Sequence, residues 1–232
     1  MEKPWISGPK ELVLHGIHHM HLGTGFDLRM ALICIDNAIE IMIKTYLGLP
    51  KRVTGIEGLS RRRMEEISNS FPSLLDGLEE FASEKIIGLE LGDIEWFHRI
   101  RNQLYHGGNG ITVDIKQVES YLEITRILFQ NLFEIPLDVE ETPHSSLIGN
   151  FIKLWAEFEQ LLNRKYNEGR FSPIMILIRQ LHSENLLDDG EYAILNDIRN
   201  FRNQTVHGMA QPTNKEIKKK IEALKEIMDS LE

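Results

Sequence analysis

The sequence predicts an all-α protein made of two tandem helical bundles. Apolar residues recur at three- and four-residue intervals along most of the chain. No pair of alternating segments reads as two strands; Gly107-Gly108-Asn109-Gly110 could turn a hairpin, but its flanks do not alternate. One seven-residue motif occurs once in each half. The composition, 232 residues with 42% hydrophobic and 26% charged, is that of an ordinary globular chain.

In chain order, the patterning predicts helices near residues 9–22, 27–47, 60–69, 72–84, 92–106 and 114–134. A second set follows near 146–167, 173–186, 189–207 and 213–231. The stretch from Met30 to Leu47 is nearly all apolar or helix-forming, which places it deep in a bundle. Ile115, Val118, Leu122, Phe129 and Leu132 form one amphipathic stripe. Leu147, Phe151, Leu154, Phe158 and Leu161 form another, with Trp155 beside it, and Ile217, Ile221, Leu224, Met228 and Leu231 a third. Asp27 and Asp114 suit N-caps, because a short acceptor satisfies free first-turn amides. Between Glu134 and Ser146 lie Pro136, Pro143 and a run of acids. Proline donates no backbone hydrogen bond and disfavours helix in the residue before it. The expected division is therefore a first bundle over 1–135, a linker over 136–145 and a four-helix bundle over 146–232.

Charge and composition exclude several classes. The net charge of −9 argues against a protein that coats nucleic acid, while leaving room for a local basic cleft. No apolar run approaches the ~18 residues of a membrane span. Met1 to Lys10 lacks the basic-then-apolar layout of a signal peptide, and the single cysteine, Cys34, allows no internal disulfide. The expectation is a cytoplasmic protein that does not engage a membrane.

The repeat is the most informative feature. Residues 101–107 read Arg-Asn-Gln-Leu-Tyr-His-Gly and residues 202–208 read Arg-Asn-Gln-Thr-Val-His-Gly. Five of seven positions match, an accident expected in about one chain in a hundred. Each copy ends a predicted helix, is followed by glycine and precedes a long amphipathic helix. Each half also has an earlier apolar helix carrying an acid, Glu40 or Glu159. The chain reads as a duplicated helical unit with extra helices in the first copy.

The motif's residue types suit phosphodiester chemistry. Asn102 and His106, like Asn203 and His207, are four apart and share a helix face, so each amide can orient its imidazole. Cleavage by a ribose 2′-hydroxyl needs a base, an acid for the leaving oxygen and a cation at phosphorus. Histidine suits both proton roles near neutral pH, and arginine presents a fixed fork of donors to phosphate. Two motifs face to face supply a base, an acid and two guanidiniums, and the reaction then requires no metal or other cofactor. The expected catalytic residues are Arg101, His106, Arg202 and His207, with Asn102 and Asn203 in support.

Arginine, a polar residue and then histidine at the end of a helix in a small all-α bundle resembles the HEPN superfamily. The apolar helix Ala38-Ile39-Glu40-Ile41-Met42-Ile43-Lys44 is similar to that family as well. The resemblance covers roughly residues 10–134 and 146–231. It implies two tandem HEPN-like bundles related by pseudo-twofold symmetry, with one ribonuclease site in the cleft between motifs. It identifies Arg101, His106, Arg202 and His207 with the family's catalytic pairs, and Asn102 and Asn203 with its polar position. The activity it implies is endonucleolytic cleavage of single-stranded RNA in a toxin–antitoxin or antiviral-defence setting. An antitoxin or regulatory protein, or a second copy of the chain, is the kind of partner it brings. One toxin subgroup carries a tyrosine two positions after the histidine; here Gly108 and Met209 stand there. The alternative is a non-catalytic interaction or nucleotide-sensing module.

Other features have plainer readings. His15, His18, His19 and His21 cluster on one predicted helix, but no cysteine or acid joins them at metal-ligand spacing. Arg61-Arg62-Arg63 with Lys51-Arg52 is the strongest basic run and could steer RNA or simply be solvated. Lys215 and Lys218-Lys219-Lys220 form the wet face of the last helix. His98 and Arg99 lie one turn before the first motif and can extend its cleft, and Trp96 and Tyr105 could stack on a base or pack in the core. Glu40 and Glu159 are candidate buried partners for the motif arginines, since a buried acid needs pairing.

Overall fold

The structure, a computed structural model, describes residues 3–106, 112–137 and 146–231. Gly107 and Gly108 of the first motif's end, and residues 138–145 of the expected linker, lie outside the described residues. Within them, all regular structure is helical. The first half holds α1 (Pro4–Leu22), α2 (Gly25–Gly48), α3 (Lys51–Thr54), α4 (Arg61–Ile67), α5 (Phe71–Ala82), a 3-10 turn (Ser83–Ile86), α6 (Leu91–His106) and α7 (Ile115–Phe133). The second holds α8 (Leu147–Tyr166), α9 (Ile174–Ser183), α10 (Asp189–Val206) and α11 (Asn214–Leu231).

Several helix ends follow directly from sequence chemistry. Asp114 caps α7 in a full capping box with Gln117, as expected of an aspartate before an apolar run. At α2 the cap is Thr24 rather than Asp27: the hydroxyl accepts from Asp27 N, and the Asp27 carboxylate takes the threonine proton in return. Helix α1 starts at Pro4, five residues before the expected start. Proline at the first helical position gives up an amide that would have no partner there anyway. Ile6, Pro9, Val13 and Ile17 then form its buried stripe. Gly16 lets α1 lie against α2, since a Cβ there would stand 2.8 Å from Ile35 Cγ1 and 3.1 Å from Ala31 O.

The core is continuous through both halves. One cluster of buried apolar side chains runs from Ile6 through α2 and α7 to Phe151, Trp155 and Phe158 of α8 and on to Leu231. Helix α7 is the shared wall: it packs on α2 on one side and on α8 and α10 on the other. The order of long helix, short helix, motif helix and closing helix recurs as α2, α5, α6, α7 and as α8, α9, α10, α11. The closing helix lies against the long helix in each set, α7 on α2 and α11 on α8. No described helix is long and apolar enough to cross a membrane.

Candidate active site

Each motif is built around a buried aspartate from another helix. In the first, Asp36 of α2 is fully buried. His98 Nδ1 lies 2.9 Å from its Oδ2, and Tyr121 of α7 donates its hydroxyl to Oδ1 at 2.7 Å. Arg101 Nε stands 3.5 Å from the same carboxylate, an ion pair without a well-formed hydrogen bond. The Arg101 guanidinium also donates to Asn37 Oδ1 at 2.8 Å and to Asn102 Oδ1 at 2.9 Å. Phe71 stacks on His98, with ring centres 3.8 Å apart. Burial, then the charge and hydrogen bond of Asp36, push the Tyr121 phenol well above its ordinary range, so it stays a donor.

In the second motif the aspartate is Asp93, in the first turn of α6, and it is 2% exposed. Arg202 donates to one of its oxygens, and His207 Nε2 lies 2.9 Å from the other. Arg202 also donates to Asn203 Oδ1 at 3.4 Å. Trp96 stacks on His207 at 5.0 Å between ring centres. Burial pushes the Asp93 carboxyl up, but the Arg202 charge and the bonds from His207 and Arg202 outweigh it and hold the group below the usual range. Asp93 is therefore an anion, and His207 donates to it through Nε2 when neutral. No described residue bonds His207 Nδ1. Gly208 follows with φ of 66°, a left-handed turn that ends the helix. The loop beyond is tied to the start of α7: Lys116 donates to Pro212 O at 3.0 Å and Gln211 to Asp114 at 2.7 Å.

The two centres share a plan: a buried aspartate, an arginine bonded to the asparagine after it, and an imidazole against an aromatic ring. They differ in the imidazole. The second uses its motif histidine, His207; the first uses His98 and leaves His106 exposed at the end of α6. The asparagines accept from their neighbouring arginines, and no hydrogen bond among the described residues joins them to the histidines four residues on; a charged guanidinium is the stronger donor.

Sequence reasoning missed both aspartates. From the sequence, the acids expected to be buried and paired are Glu40 and Glu159. Glu40 is part-exposed and takes Lys44 at 2.6 Å, one helical turn away. Asp36, four residues earlier in the same apolar helix, is the buried acid. Glu159 is buried, but its direct partner is Trp155 Nε1 at 2.6 Å. It feels Arg202 only through space.

Among the described residues, no hydrogen bond, ion pair or ring contact joins Arg101, Asn102 or His106 to Arg202, Asn203 or His207. Helix α6 connects them. At 100° and 1.5 Å per residue, Arg101 lies ~140° round from Trp96, on the Asp36 side. Trp96, Arg99, Gln103 and His106 fall within ~80° of one another, a stripe with ~15 Å of rise from end to end. His207 rests on the first residue of that stripe and His106 is the last. Arg99, Gln103 and His106 are exposed.

The other candidates are accounted for locally. His19 bonds Asp27 at 3.0 Å, and no described group of three or more His, Cys, Asp or Glu is placed to hold a metal. Arg61 and Arg62 pair with Glu65 and Glu66, Arg63 with Glu66 and Glu80, and Lys51 with Glu57. The basic run is thus balanced by acids of its own neighbourhood.

Comparison with known proteins gives no match to any family, curated protein or solved structure.

Proposed function

We propose that the chain is a metal-independent endoribonuclease of the HEPN type that cleaves single-stranded RNA. The observation that carries this reading is the Asp93–His207 pair. A carboxylate held as an anion by a buried arginine fixes the ring's orientation and tautomer, and leaves Nδ1 as the proton acceptor. RNA lies along the α6 stripe, where Arg99 can meet a phosphate. The 2′-hydroxyl gives its proton to His207 Nδ1, and the 2′-oxygen attacks phosphorus. The bond from phosphorus to the 5′-oxygen breaks, leaving a 2′,3′-cyclic phosphate. The 5′-oxygen takes its proton from a second imidazole.

That imidazole is His106. The rise of ~15 Å along α6 exceeds one phosphodiester, so His106 and His207 of one chain do not flank one phosphorus. The composite site is therefore proposed between two copies of the chain, each placing its exposed His106 beside the other's His207. Arg101 and Arg202 are positioning residues, acting through the aspartates and asparagines they hold.

Mixing two inactive variants tests both parts. His106→Ala and His207→Ala should each lose cleavage by about 10²–10⁴-fold. Mixed and allowed to exchange, they should recover roughly a quarter of wild-type activity, since half the dimers are mixed and each has one intact site. No recovery, with wild-type cleavage intact, sinks the shared site. Absence of RNA cleavage by the wild-type protein sinks the enzyme reading.

One observation favours the alternative, a non-catalytic interaction or nucleotide-sensing module. Arg202 is 2% exposed, so the second motif's guanidinium braces the fold instead of facing a phosphate. If the enzyme reading holds, its setting is a toxin or an antiviral-defence effector restrained by an antitoxin or regulatory protein. Expression with and without His207, scored for growth arrest, tests that setting.

A further inference from the structure

A cavity of about 260 Å³ opens where the two halves meet, away from the α6 stripe. One wall is the segment 86–91 between the 3-10 turn and α6. The others are Glu159 and Asn163 of α8, residues 171–175 at the start of α9, and Arg199 of α10. Gly88 presses this segment on α8: a Cβ there would meet Ala156 O at 3.0 Å. The volume is a little below that of common ligand pockets and suits a small molecule.

The lining is apolar with an acidic end. Ile86, Leu89, Leu91, Phe171, Ile174 and Met175 supply the apolar walls. The charged residues in the lining are Glu79, Glu90, Glu159 and Arg199, three carboxylates and one guanidinium, with the Arg202 charge acting on Glu90 and Glu159 from behind the wall. The polar atoms are not consumed within the protein. The Glu90 side chain makes no hydrogen bond or ion pair to a described residue, although its Oε1 is buried. Arg199 Nε is buried and likewise unpartnered. Glu159 is 6% exposed, and only one of its oxygens is bonded, by Trp155. Buried polar atoms without partners are uncommon in folded proteins, and two of them at one cavity leave its polar groups available to a ligand.

We propose that this cavity binds a small organic cation, a primary ammonium on a compact apolar body, with the ammonium between Glu90 and Glu159 and the body against Phe171. The excess of carboxylate selects the charge, and the aromatic and aliphatic walls select the body. Burial pushes the Glu159 carboxyl up to about 7, against the pull of Arg202 and with added push from Glu90 and Asp93. Arg199 and Glu79 line the same space. An arriving ammonium favours the ionised acid, so binding and proton release are coupled.

Titration calorimetry on the full chain, without RNA, tests this with phenethylammonium, its neutral counterpart phenethyl alcohol and the anion 3-phenylpropionate. The ammonium should bind at least tenfold tighter than the alcohol, and the anion should not bind. Affinity for the ammonium should rise about tenfold from pH 6 to pH 8, since Glu159 must shed its proton. Glu159→Gln, which keeps the Trp155 acceptor, should remove that dependence and weaken binding. A lysine-containing tripeptide with blocked ends distinguishes a protein side chain from a free amine as the source, according to which binds tighter. Equal binding of ammonium and alcohol, preference for the anion, pH-independent affinity, or no ammonium binding at about 10 mM overturns the proposal. Because no cleavage is measured, the result stands apart from the ribonuclease reading.

Discussion

At the scale of single residues, Asp36 and Asp93 organise the candidate site. Each is buried, and each is surrounded by a histidine and an arginine. Removing Asp93 would leave Arg202 charged and unpaired inside the protein. Asp93→Ala should therefore cost about 3–5 kcal/mol of stability, read by urea unfolding at neutral pH. A loss under about 1 kcal/mol would mean that Glu159 or water already compensates Arg202. The pH dependence follows from the lowered Asp93 pKa. Its stabilising contribution is present above the ordinary carboxyl value of 3.8 and is lost as pH falls through the lower native value. Acid unfolding of the wild type should thus steepen below pH ~4 relative to Asp93→Asn, which has no such proton to take up. The arginines and motif histidines were legible in the sequence because the repeat displays them. The aspartates were not, because each reaches its motif from a different helix, across 65 residues for Asp36 and Arg101 and 109 for Asp93 and Arg202. An acid inside an apolar helix was the available signal, and Glu40 carried it as loudly as Asp36.

At the scale of elements, helix type and order were readable, while ends moved by a few residues where capping and proline decided them. The existence of α7, with its Asp114 cap, follows from sequence alone. The four-residue α3 and the 3-10 turn do not, since neither is long enough to show a period. The turn after the second motif needs a glycine. Gly208 has φ of 66°, and a Cβ there would lie 2.5 Å from Gln117 Nε2. Gly208→Ala should destabilise by about 1–2 kcal/mol from backbone strain alone. Adding Gln117→Ala removes the side-chain clash but not the strain; because Gln117 also completes the α7 capping box, thermal melts of the double variant are compared with Gln117→Ala alone. If the double variant is as stable as Gln117→Ala alone, the backbone conformation is not the cause.

At the scale of the whole molecule, the repeat foretold two helical sets but not how they join. The stretch rich in proline and acid marks a boundary between two bundles expected to pack on one another. The described core runs unbroken from α1 to α11, and the second motif's arginine takes its counter-ion from the first half. Periodicity shows which face of a helix is apolar; it does not say which helix covers that face, and α7 is covered on both sides.

The joint also contains a strongly perturbed carboxyl, Glu159, and it sets a pH dependence opposite to that of Asp93. Glu159 has an ordinary value of 4.5 unfolded and about 7 in the native protein. Between those values the unfolded chain has released a proton that the folded chain keeps, so stability falls as pH rises through this window. The full loss above pH 7 is about 3 kcal/mol. Glu159→Gln carries no proton to lose and still offers Trp155 an acceptor. The variant should match the wild type near pH 4.5 and become progressively more stable by comparison up to pH 7 and beyond, as chemical denaturation at a series of pH values would show. A constant difference across that range would mean that Glu159 ionises in the native state as readily as in the unfolded chain. The acidic end of the cavity would then already be matched by charges within the protein.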